Sequence, residues 1–376
     1  MNSRDTLRVL MVAGGTGGHI FPALAVAEEL RTRSERGDRN APRYTIEFLG
    51  TRRPLEARLI PAAGFPLRTI AAAGLKGIGG WRKLRNLLVL PRTAVAAAAV
   101  LREFQPHVVV GVGGYVSGPV LLEAALRDIP TVLIEPNARP GFTNRILAPV
   151  VRAAAVGFEE AARPYGEKAH RTGHPVRHAF FEISPRPHTL PSTLLIVGGS
   201  QGSRAINQAV VGSLPLLGSD AEPIRIVHQT GEPDYNEVRK AYQEQGFLAG
   251  VHAFIMDMPG ALEQADLVVS RAGATAVAEL AAAGRAALLI PFPAATDQHQ
   301  LENARAMEGA GAARLIVQSE LTPERLVGEI RGLWAVPETL HRMGARARRL
   351  ARPEAAARIA DLVEAFARKG WGAGNG

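Results

Sequence analysis

The stretch Val12-Ala13-Gly14-Gly15-Thr16-Gly17-Gly18-His19 decides the fold of this chain of 376 residues. An apolar run at residues 7–12 precedes it and an amphipathic run at 20–30 follows it, which predicts a strand, a glycine-rich turn and a helix. Glycines admit positive φ angles and let a ligand approach backbone N–H groups closely. The first turn of the helix adds a partial positive charge, so this turn is suited to bind a phosphate or another anion.

The glycine-rich turn does not match two common nucleotide-binding motifs. A dinucleotide fingerprint that starts at Gly15 requires a glycine where Ile20 stands, and no acidic residue ends the second predicted strand. A P-loop requires Gly-Lys-Ser/Thr, and this chain has His19-Ile20. An ordinary tight turn of an α/β protein is an alternative for the stretch alone. The return of a similar loop later in the chain favours a binding role.

Composition excludes several classes of protein. The absence of cysteine excludes disulfides and thiolate metal sites, and aromatic residues make up only 5% of the chain, without a basic stripe among them. We therefore expect no nucleic-acid partner. The net charge of +9 is consistent with a GC-rich genome that favours arginine over lysine, with an anionic substrate or with an anionic membrane surface. No signal peptide and no apolar run of ~20 residues is seen, so we expect a cytoplasmic location.

Short apolar runs alternate with helical patterns, which predicts parallel sheets built from βαβ units. Besides the first strand, the predicted strands are residues 44–49, 65–70, 108–112, 131–134, 193–197, 224–228, 251–255, 267–270, 287–290 and 313–317. The predicted helices include 54–63, 81–104, 115–126, 323–349 and 353–368.

The chain divides into two similar halves. A segment rich in glycine and proline at 171–177 interrupts the alternation, and residues 194–204 then repeat the order of strand, glycine turn and helix. We therefore predict an α/β protein with two doubly wound, Rossmann-like domains that face each other across a cleft. The predicted domains are residues 1–176, joined by a C-terminal helix at 352–370, and residues 177–351.

Glycine-rich turns follow the predicted strands at 14–18, 111–118, 198–202 and 273, where ligands bind in such folds. His19 can exchange a proton near neutral pH, and the amide of Gln300 can both donate to and accept from sugar hydroxyls. Glu279 could hold the two hydroxyls of a ribose, or it could be an exposed glutamate on an alanine-rich helix. The chain has no Asp-x-Asp pair, so we expect no metal. Helix N-termini and Arg177 would then neutralise a diphosphate.

These motifs together resemble the MurG-type UDP-N-acetylglucosamine transferases of peptidoglycan synthesis. The resemblance rests on residues 14–19, 113–119, 198–202 and 273–284, in that order. It implies an inverting glycosyltransferase of the GT-B fold that needs no cofactor. Such an enzyme moves N-acetylglucosamine from its UDP donor to the muramoyl 4-hydroxyl of lipid I, the undecaprenyl-diphospho-muramoyl-pentapeptide, and makes lipid II. It would act as a peripheral protein at the cytoplasmic face of the membrane.

The resemblance also implies a set of site residues. His19 would be the catalytic residue, assisting removal of the proton from the attacking hydroxyl or orienting the group that does. The substrate-binding residues would be Thr16, Gly17, Gly18, Asn137, Arg177, Ser200, Ile255 (through its backbone), Glu279 and Gln300. The chain departs from the common family pattern at Ile134, Pro136, His174 and Ala276.

Other functions remain open at this point. The same architecture could serve a UDP-N-acetylglucosamine 2-epimerase, a UDP-sugar transferase with a different lipid acceptor, or a nucleotide-sugar binder without catalysis. For the membrane surface we predict the segment 71–92, in which apolar residues such as Leu75, Ile78 and Trp81 are bordered by Lys76 and Arg82. The alternative is a helix that packs this apolar side on the sheet.

Overall fold

The computed structural model describes residues 6–36, 42–71, 89–185, 192–218, 224–247, 249–293 and 299–374. The chain divides into two compact units, Met1–Arg177 with Glu354–Gly376, and His178–Pro353. Each unit contains one all-parallel sheet whose strands alternate with helices, so the predicted α/β fold with two Rossmann-like domains is confirmed.

The sheet of the first unit has seven strands, in the order β3-β2-β1-β4-β5-β6-β7. These strands are β1 Thr6–Val12, β2 Arg43–Gly50, β3 Leu67–Thr69, β4 Val108–Gly111, β5 Thr131–Glu135, β6 Ala153–Val156 and β7 Ala169–Arg171. The sheet of the second unit has six strands, in the order β10-β9-β8-β11-β12-β13. These strands are β8 Ser192–Val197, β9 Ile224–Gln229, β10 Ala249–His252, β11 Leu267–Ser270, β12 Ala287–Leu289 and β13 Ala313–Leu315.

The helices of the described residues lie mostly between consecutive strands. In the first unit they are α1 Gly17–Arg36, α2 Pro54–Ala62, α3 Val89–Phe104, α4 Ser117–Leu126 and α5 Phe142–Leu147. In the second unit they are α6 Arg204–Leu217, α7 Tyr235–Glu244, α8 Met258–Gln264, α9 Ala274–Ala283, α10 His299–Gly309, α11 Pro323–Trp334 and α12 Pro337–Leu350. The chain returns to the first unit with α13, Ala355–Gly374.

Strand β1 is an inner strand of its sheet, and this position explains its apolar sequence. It pairs with β2 on one side and β4 on the other, with Val12 opposite both Leu49 and Gly111. Leu10 and Val12 are fully buried, as expected for a parallel strand covered on both faces. The three strands therefore end at one edge of the sheet, and the first glycine-rich turn starts from that edge.

Helix α13 completes the first unit from the far end of the sequence. Its Ile359 and Val363 are fully buried, and the helix contacts α1, β1, β4 and β5. At its surface Asp361 accepts a hydrogen bond of 2.7 Å from Arg33. The apolar core of this unit therefore depends on side chains from both ends of the chain.

Several predicted elements differ from the structure. Strands β6 and β7 were not predicted, because an Ala-Ala-Ala-Val run has little β propensity and is decided here by burial between neighbouring strands. The single helix predicted at 323–349 is two helices, because Pro337 cannot continue α11 and begins α12 instead. Strand β10 ends at His252, so the predicted strand at 251–255 lies too late by a few residues.

Candidate active site

The first glycine-rich turn is held in shape by a buried carboxylate from α2. Glu56 is fully buried, and its Oε1 accepts hydrogen bonds of 2.7 Å from the backbone N–H of Gly15 and from the hydroxyl of Thr51. The backbone N–H of Thr51 donates to its Oε2. Gly15 has a φ of 101°. The hydrogen bond from its N–H to Glu56, 41 positions later in the chain, holds the backbone in this conformation. Glu56 was not among the predicted site residues.

His19 lies in the first turn of α1 and its ring is half-buried between two glycine loops. Its Nδ1 lies 3.4 Å from the hydroxyl of Thr16. Burial lowers the pKa of His19, and a hydrogen bond with the backbone of Gly14 opposes this effect. The imidazole is therefore neutral at pH 7 and can accept a proton, as a general base must.

The second glycine loop must consist of glycines because His19 and the first loop approach it closely. Gly113 and Gly114 have φ angles of 101° and 81°. A Cβ on Gly113 would lie 3.4 Å from Nε2 of His19, and one on Gly114 would lie 2.8 Å from the carbonyl oxygen of Gly14. The buried hydroxyl of Ser117 lies 2.6 Å from the carbonyl oxygen of Gly113. These contacts join the two loops into one surface around His19.

A second buried carboxylate organises the residues after β5. Glu135 is 1% exposed, and it accepts hydrogen bonds from the backbone and side chain of Asn137, from the backbone of Gly141 and from the side chain of Asn144. Burial raises the pKa of Glu135, and these four donors oppose the rise. The side chain of Asn137 takes part through its Nδ2, which donates a hydrogen bond of 3.1 Å to Oε1 of Glu135. The predicted ligand residue is therefore fixed in orientation by a carboxylate two positions before it.

Arg177 is the last residue of the N-terminal segment of the first unit. Its guanidinium lies 5.5 Å from the ring centroid of Phe21, on α1. Burial raises the pKa of Glu28, also on α1, and the charge of Arg177 opposes the rise.

His174, three positions before Arg177 in sequence, has a buried ring. Its Nδ1 lies 3.4 Å from the carbonyl oxygen of Pro136. Burial lowers the pKa of His174 to about 4, so it is neutral at pH 7.

In the second unit, Gln229 connects two of the predicted binding residues. Its Nε2 donates a hydrogen bond of 2.9 Å to the carbonyl oxygen of Gly199, beside Ser200. Its Oε1 accepts a hydrogen bond of 2.8 Å from the backbone N–H of Ile255. The glycine loop after β8 and the segment after β10 are therefore held together by one side chain at the end of β9. Gln229 was not among the predicted site residues.

The ends of β11 and β12 position the remaining predicted residues. Glu279 is half-buried on α9, which begins directly after β11. The side-chain oxygen of Gln300, on α10, accepts a hydrogen bond of 3.0 Å from the backbone N–H of Phe292. Asn303, one turn further, donates a hydrogen bond of 3.0 Å to the carbonyl oxygen of Ala272. Gln300 thus keeps its amide nitrogen for another partner, while Asn303 fixes α10 against the end of β11.

A cation with a lowered pKa follows β11 directly. Arg271 donates hydrogen bonds to the carbonyl oxygen of Ile290 at 3.0 Å and to the side chain of Gln318 at 2.7 Å. Its guanidinium also lies 5.3 Å from the ring centroid of Phe292. Burial lowers the pKa of Arg271 to about 10, so it remains a cation at pH 7.

Within each unit, the predicted residues follow the carboxyl ends of parallel strands, where ligands bind in open α/β sheets. In the first unit they are Thr16, Gly17, Gly18 and His19 after β1, Asn137 after β5 and Arg177 after β7. In the second unit they are Ser200 after β8, Ile255 after β10, Glu279 after β11 and Gln300 after β12. Among the described residues, no group of three or more acidic and histidine side chains is arranged to hold a metal ion.

Family models cover most of the chain. The glycosyltransferase family 28 N-terminal domain matches residues 9–156, and the C-terminal domain of the same family matches residues 193–361. The chain belongs to glycosyltransferase family 28. The prediction of a glycosyltransferase is thereby confirmed, and the two matched segments carry the glycine loops of the two units of this family 28 protein.

Full-length relatives agree with this family. A UDP-N-acetylglucosamine--N-acetylmuramyl-(pentapeptide) pyrophosphoryl-undecaprenol N-acetylglucosamine transferase of Anaeromyxobacter sp. (strain Fw109-5) is 46% identical over 97% of this chain and 95% of its own length. The crystal structure of Acinetobacter baumannii MurG has a TM-score of 0.68 at 31% identity, and the match covers 95% of this chain and 99% of that one. The resemblance of this family 28 protein to the MurG-type transferases is therefore confirmed.

A UDP-GlcNAc 2-epimerase shares the architecture alone. The crystal structure of the enzyme from Neisseria meningitidis bound to UDP-GlcNAc has a TM-score of 0.63 at 14% identity, over 96% of this chain and 100% of that one. At such low identity the likeness concerns the fold. It does not extend to the chemistry of the family 28 protein.

Proposed function

We propose that this chain transfers N-acetylglucosamine from UDP-N-acetylglucosamine to the muramoyl 4-hydroxyl of lipid I, with inversion at the sugar, to give lipid II. The observation that carries this proposal is the 46% identity, over nearly the whole of both chains, to a relative that is named for this transfer. Fold similarity to the epimerase at 14% identity gives the alternative much weaker support.

The second unit supplies the donor side in this proposal. Ser200 and the backbone of Ile255 contact the nucleotide, Glu279 accepts hydrogen bonds from the ribose hydroxyls, and Gln300 donates to the sugar. The N–H of Ile255 already donates to Gln229, so its carbonyl group is the part that remains for a nucleotide base. Asn137 of the first unit and Arg177, at the boundary between the two units in sequence, also belong to the donor set. The N-terminus of α9 and Arg177 offset the charge of the diphosphate without a metal ion.

The first unit supplies the acceptor side. Its glycine loop also contacts the sugar nucleotide through Thr16, Gly17 and Gly18. His19 accepts the proton of the attacking hydroxyl as the new glycosidic bond forms and UDP leaves. A neutral imidazole is required for this step, and the lowered pKa of His19 provides it at pH 7. We assign the acceptor and membrane side to residues 1–176 with the helix at 352–370, and the UDP-sugar side to residues 177–351.

We also propose a peripheral location at the cytoplasmic face of the membrane, on an anionic lipid surface. No helix among the described residues is both long and apolar enough to cross a bilayer. Most of the predicted membrane segment, 72–88, lies outside the described residues. Elsewhere in the first unit, α4 and α5 contact each other and expose large apolar side chains. These are Leu122, Leu126, Phe142 and Ile146.

This exposed apolar patch, Leu122, Leu126, Phe142 and Ile146, has the composition of a membrane-contacting surface. Its members occur as i, i+4 pairs on their helices, so each pair shares one helix face. Leu126 is 73% exposed and Ile146 is 60% exposed. The exposed cation of Arg145 lies next to Ile146 in sequence. Apolar groups beside cations favour reversible binding to anionic bilayers.

The proposed reaction is tested by incubation with labelled UDP-N-acetylglucosamine and a lipid I analogue. Label that moves to the lipid acceptor with release of UDP supports the proposal. Release of UDP together with N-acetylmannosamine, with or without the lipid, would identify a 2-epimerase instead. If the lipid I analogue is inert while another lipid-linked sugar accepts the label, the chain is a UDP-sugar transferase with a different acceptor.

A further inference from the structure

Asn144 carries an acceptor atom without a hydrogen-bond partner beside the candidate base. The side chain lies on α5 and is 3% exposed, and its Nδ2 donates a hydrogen bond of 2.7 Å to Oε2 of Glu135. The same Oε2 also accepts from the backbone N–H of Gly141. Because Oε2 of Glu135 acts as an acceptor here, the end of the Asn144 amide that faces it must be the donating nitrogen. Oδ1 of Asn144 is therefore the end that does not bind Glu135.

Oδ1 of Asn144 is buried and has no hydrogen-bond partner among the described residues. Almost all buried polar atoms in folded proteins have such a partner, and leaving one without a partner costs free energy. An unpaired acceptor that is retained in a binding surface therefore indicates a ligand that donates to it.

The position of this oxygen is defined by Gly113. A Cβ on Gly113 would lie 3.2 Å from Oδ1 and 3.3 Å from Nδ2 of Asn144, and 3.4 Å from Nε2 of His19. The Asn144 amide and Nε2 of His19 therefore border the same small space beside Gly113, whose positive φ angle favours glycine. Nδ1 of His19 faces Thr16, so Nε2 is the ring nitrogen that borders this space.

Oδ1 of Asn144 and Nε2 of His19 are both hydrogen-bond acceptors, so a substrate that binds both atoms must supply two donor groups. A reacting hydroxyl has a single proton, which it donates to Nε2 of His19 before transfer. Oδ1 of Asn144 must then accept from a second group of the same molecule. On an N-acetylated muramoyl sugar, the groups with a hydrogen to donate are the 6-hydroxyl and the acetamido N–H.

We propose that Asn144 is a substrate-positioning residue whose Oδ1 accepts a hydrogen bond from the acceptor sugar and thereby aims the 4-hydroxyl at Nε2 of His19. This inference rests on the proposed function and adds a specific acceptor contact to it. Glu135 acts through Asn144, because it fixes the amide so that the oxygen faces the sugar.

The test compares three soluble lipid I analogues: the parent, a 6-deoxy sugar and a sugar with an N-methylated acetamide. With the wild-type protein, we expect kcat/KM to fall about 10- to 100-fold for one of the two modified acceptors. Asn144→Ala should show a similar loss with the parent acceptor and little further loss with that same modified acceptor. The KM for UDP-N-acetylglucosamine should change less than about twofold, because Asn144 contacts the acceptor sugar in this proposal.

Thr143→Ala is the matched control, since Thr143 is the half-buried neighbour on the same helix. It should discriminate among the three acceptors as the wild type does. If the loss of kcat/KM for Asn144→Ala with the modified acceptor equals the product of the two separate losses, the inference is wrong. If Asn144→Ala does not fold, the wild type decides alone, and a loss below about threefold with both modified acceptors overturns the inference. Absence of any transfer to the parent acceptor would overturn the proposed function itself, and the inference with it.

Discussion

The carboxylate of Glu56 accepts a hydrogen bond from the backbone N–H of Gly15, so the loop that precedes His19 is shaped by a helix that is remote in sequence. A fully buried carboxylate with three donors is costly to disturb, because removing it leaves buried N–H groups without partners. The position of His19 is thus tied to the integrity of α2.

We expect Glu56→Ala to lower the free energy of unfolding by about 3 kcal/mol, because it leaves the N–H groups of Gly15 and Thr51 unpaired. Urea denaturation measures this change. Glu103→Ala is the control, since the Glu103 side chain is exposed and its ion pair with Arg68 lies at the surface. Equal stability of the two variants would show that Glu56 does not support the loop.

We expect His19→Ala to lower kcat by about 10²–10⁴-fold while UDP binding is unchanged, because a positioned base contributes on that scale. Steady-state kinetics and calorimetry of UDP binding separate the two effects. In the wild type, kcat/KM should rise with pH and level off, with a midpoint below 6.5, since burial lowers the pKa of His19. His170→Ala, at an exposed position on β7, should behave as the wild type. Turnover of His19→Ala near the wild-type value would refute the assignment.

We expect Glu279→Ala to raise the KM for the donor by a factor that corresponds to about 1.5–3 kcal/mol, because a charged partner of the ribose is lost. A 2′,3′-dideoxy donor should be a poor substrate for the wild type, and it should be no worse than the natural donor for Glu279→Ala. Glu263→Ala, at an exposed position on α8, serves as the control. The assignment is wrong if Glu279→Ala still discriminates between the two donors as the wild type does.

We expect the free energy of unfolding to decrease as the pH falls below 6.5. Burial holds the pKa of His228 at about 3 and that of His174 at about 4, against about 6.5 in the unfolded chain. Between these values only the unfolded chain binds the protons, so acid favours unfolding, by about 1.4 kcal/mol per pH unit for each histidine. Urea denaturation at pH 7 and pH 5 measures the loss.

His228→Gln tests the origin of this pH dependence. The variant should lose about 2 kcal/mol less than the wild type between pH 7 and pH 5, because one neutral buried imidazole is absent. His170→Gln should keep the full pH dependence, since the side chain of His170 is exposed on β7. An unchanged slope in His228→Gln would assign the acid sensitivity to other groups.

We expect Leu126→Glu combined with Ile146→Glu to weaken binding to anionic vesicles at least about tenfold, because both side chains are exposed members of the apolar patch on α4 and α5. Co-sedimentation measures binding, and turnover of a soluble acceptor should be unchanged. Val336→Glu is the control, since Val336 is 47% exposed in the second unit. Undiminished vesicle binding by the double variant would place the membrane surface elsewhere, for example in the segment 72–88.

The fold was largely predictable because its signals are local. Apolar runs followed by glycine turns identified most strands, and the return of the strand and glycine turn at 194–202 indicated a second similar unit. Strand β6 was missed because its Ala-Ala-Ala-Val sequence carries no β signal of its own. It forms a strand because it lies between β5 and β7, where its small side chains are almost fully buried.

The groups that support the site were less predictable because their partners are distant in sequence. Gln229 lies 30 positions from Gly199 and 26 positions from Ile255, and no local pattern indicates either contact. The sequence carried a weak indication of the role of Glu56, since this residue shares the buried face of α2 with Leu59 and Ile60. A carboxylate on the apolar face of a helix predicts a buried partner, although it does not identify Gly15.

The return of α13 to the first unit has a consequence for biosynthesis. Because this helix contacts β1 and β4 and buries Ile359 and Val363, the N-terminal half of the chain lacks part of its core until residues 355–374 have been synthesised. The second unit, His178–Pro353, contains all of its own strands and can fold while translation continues. The first unit, which carries the glycine loop around His19, is therefore completed after the second unit in the order of synthesis, although its first strand is made earlier.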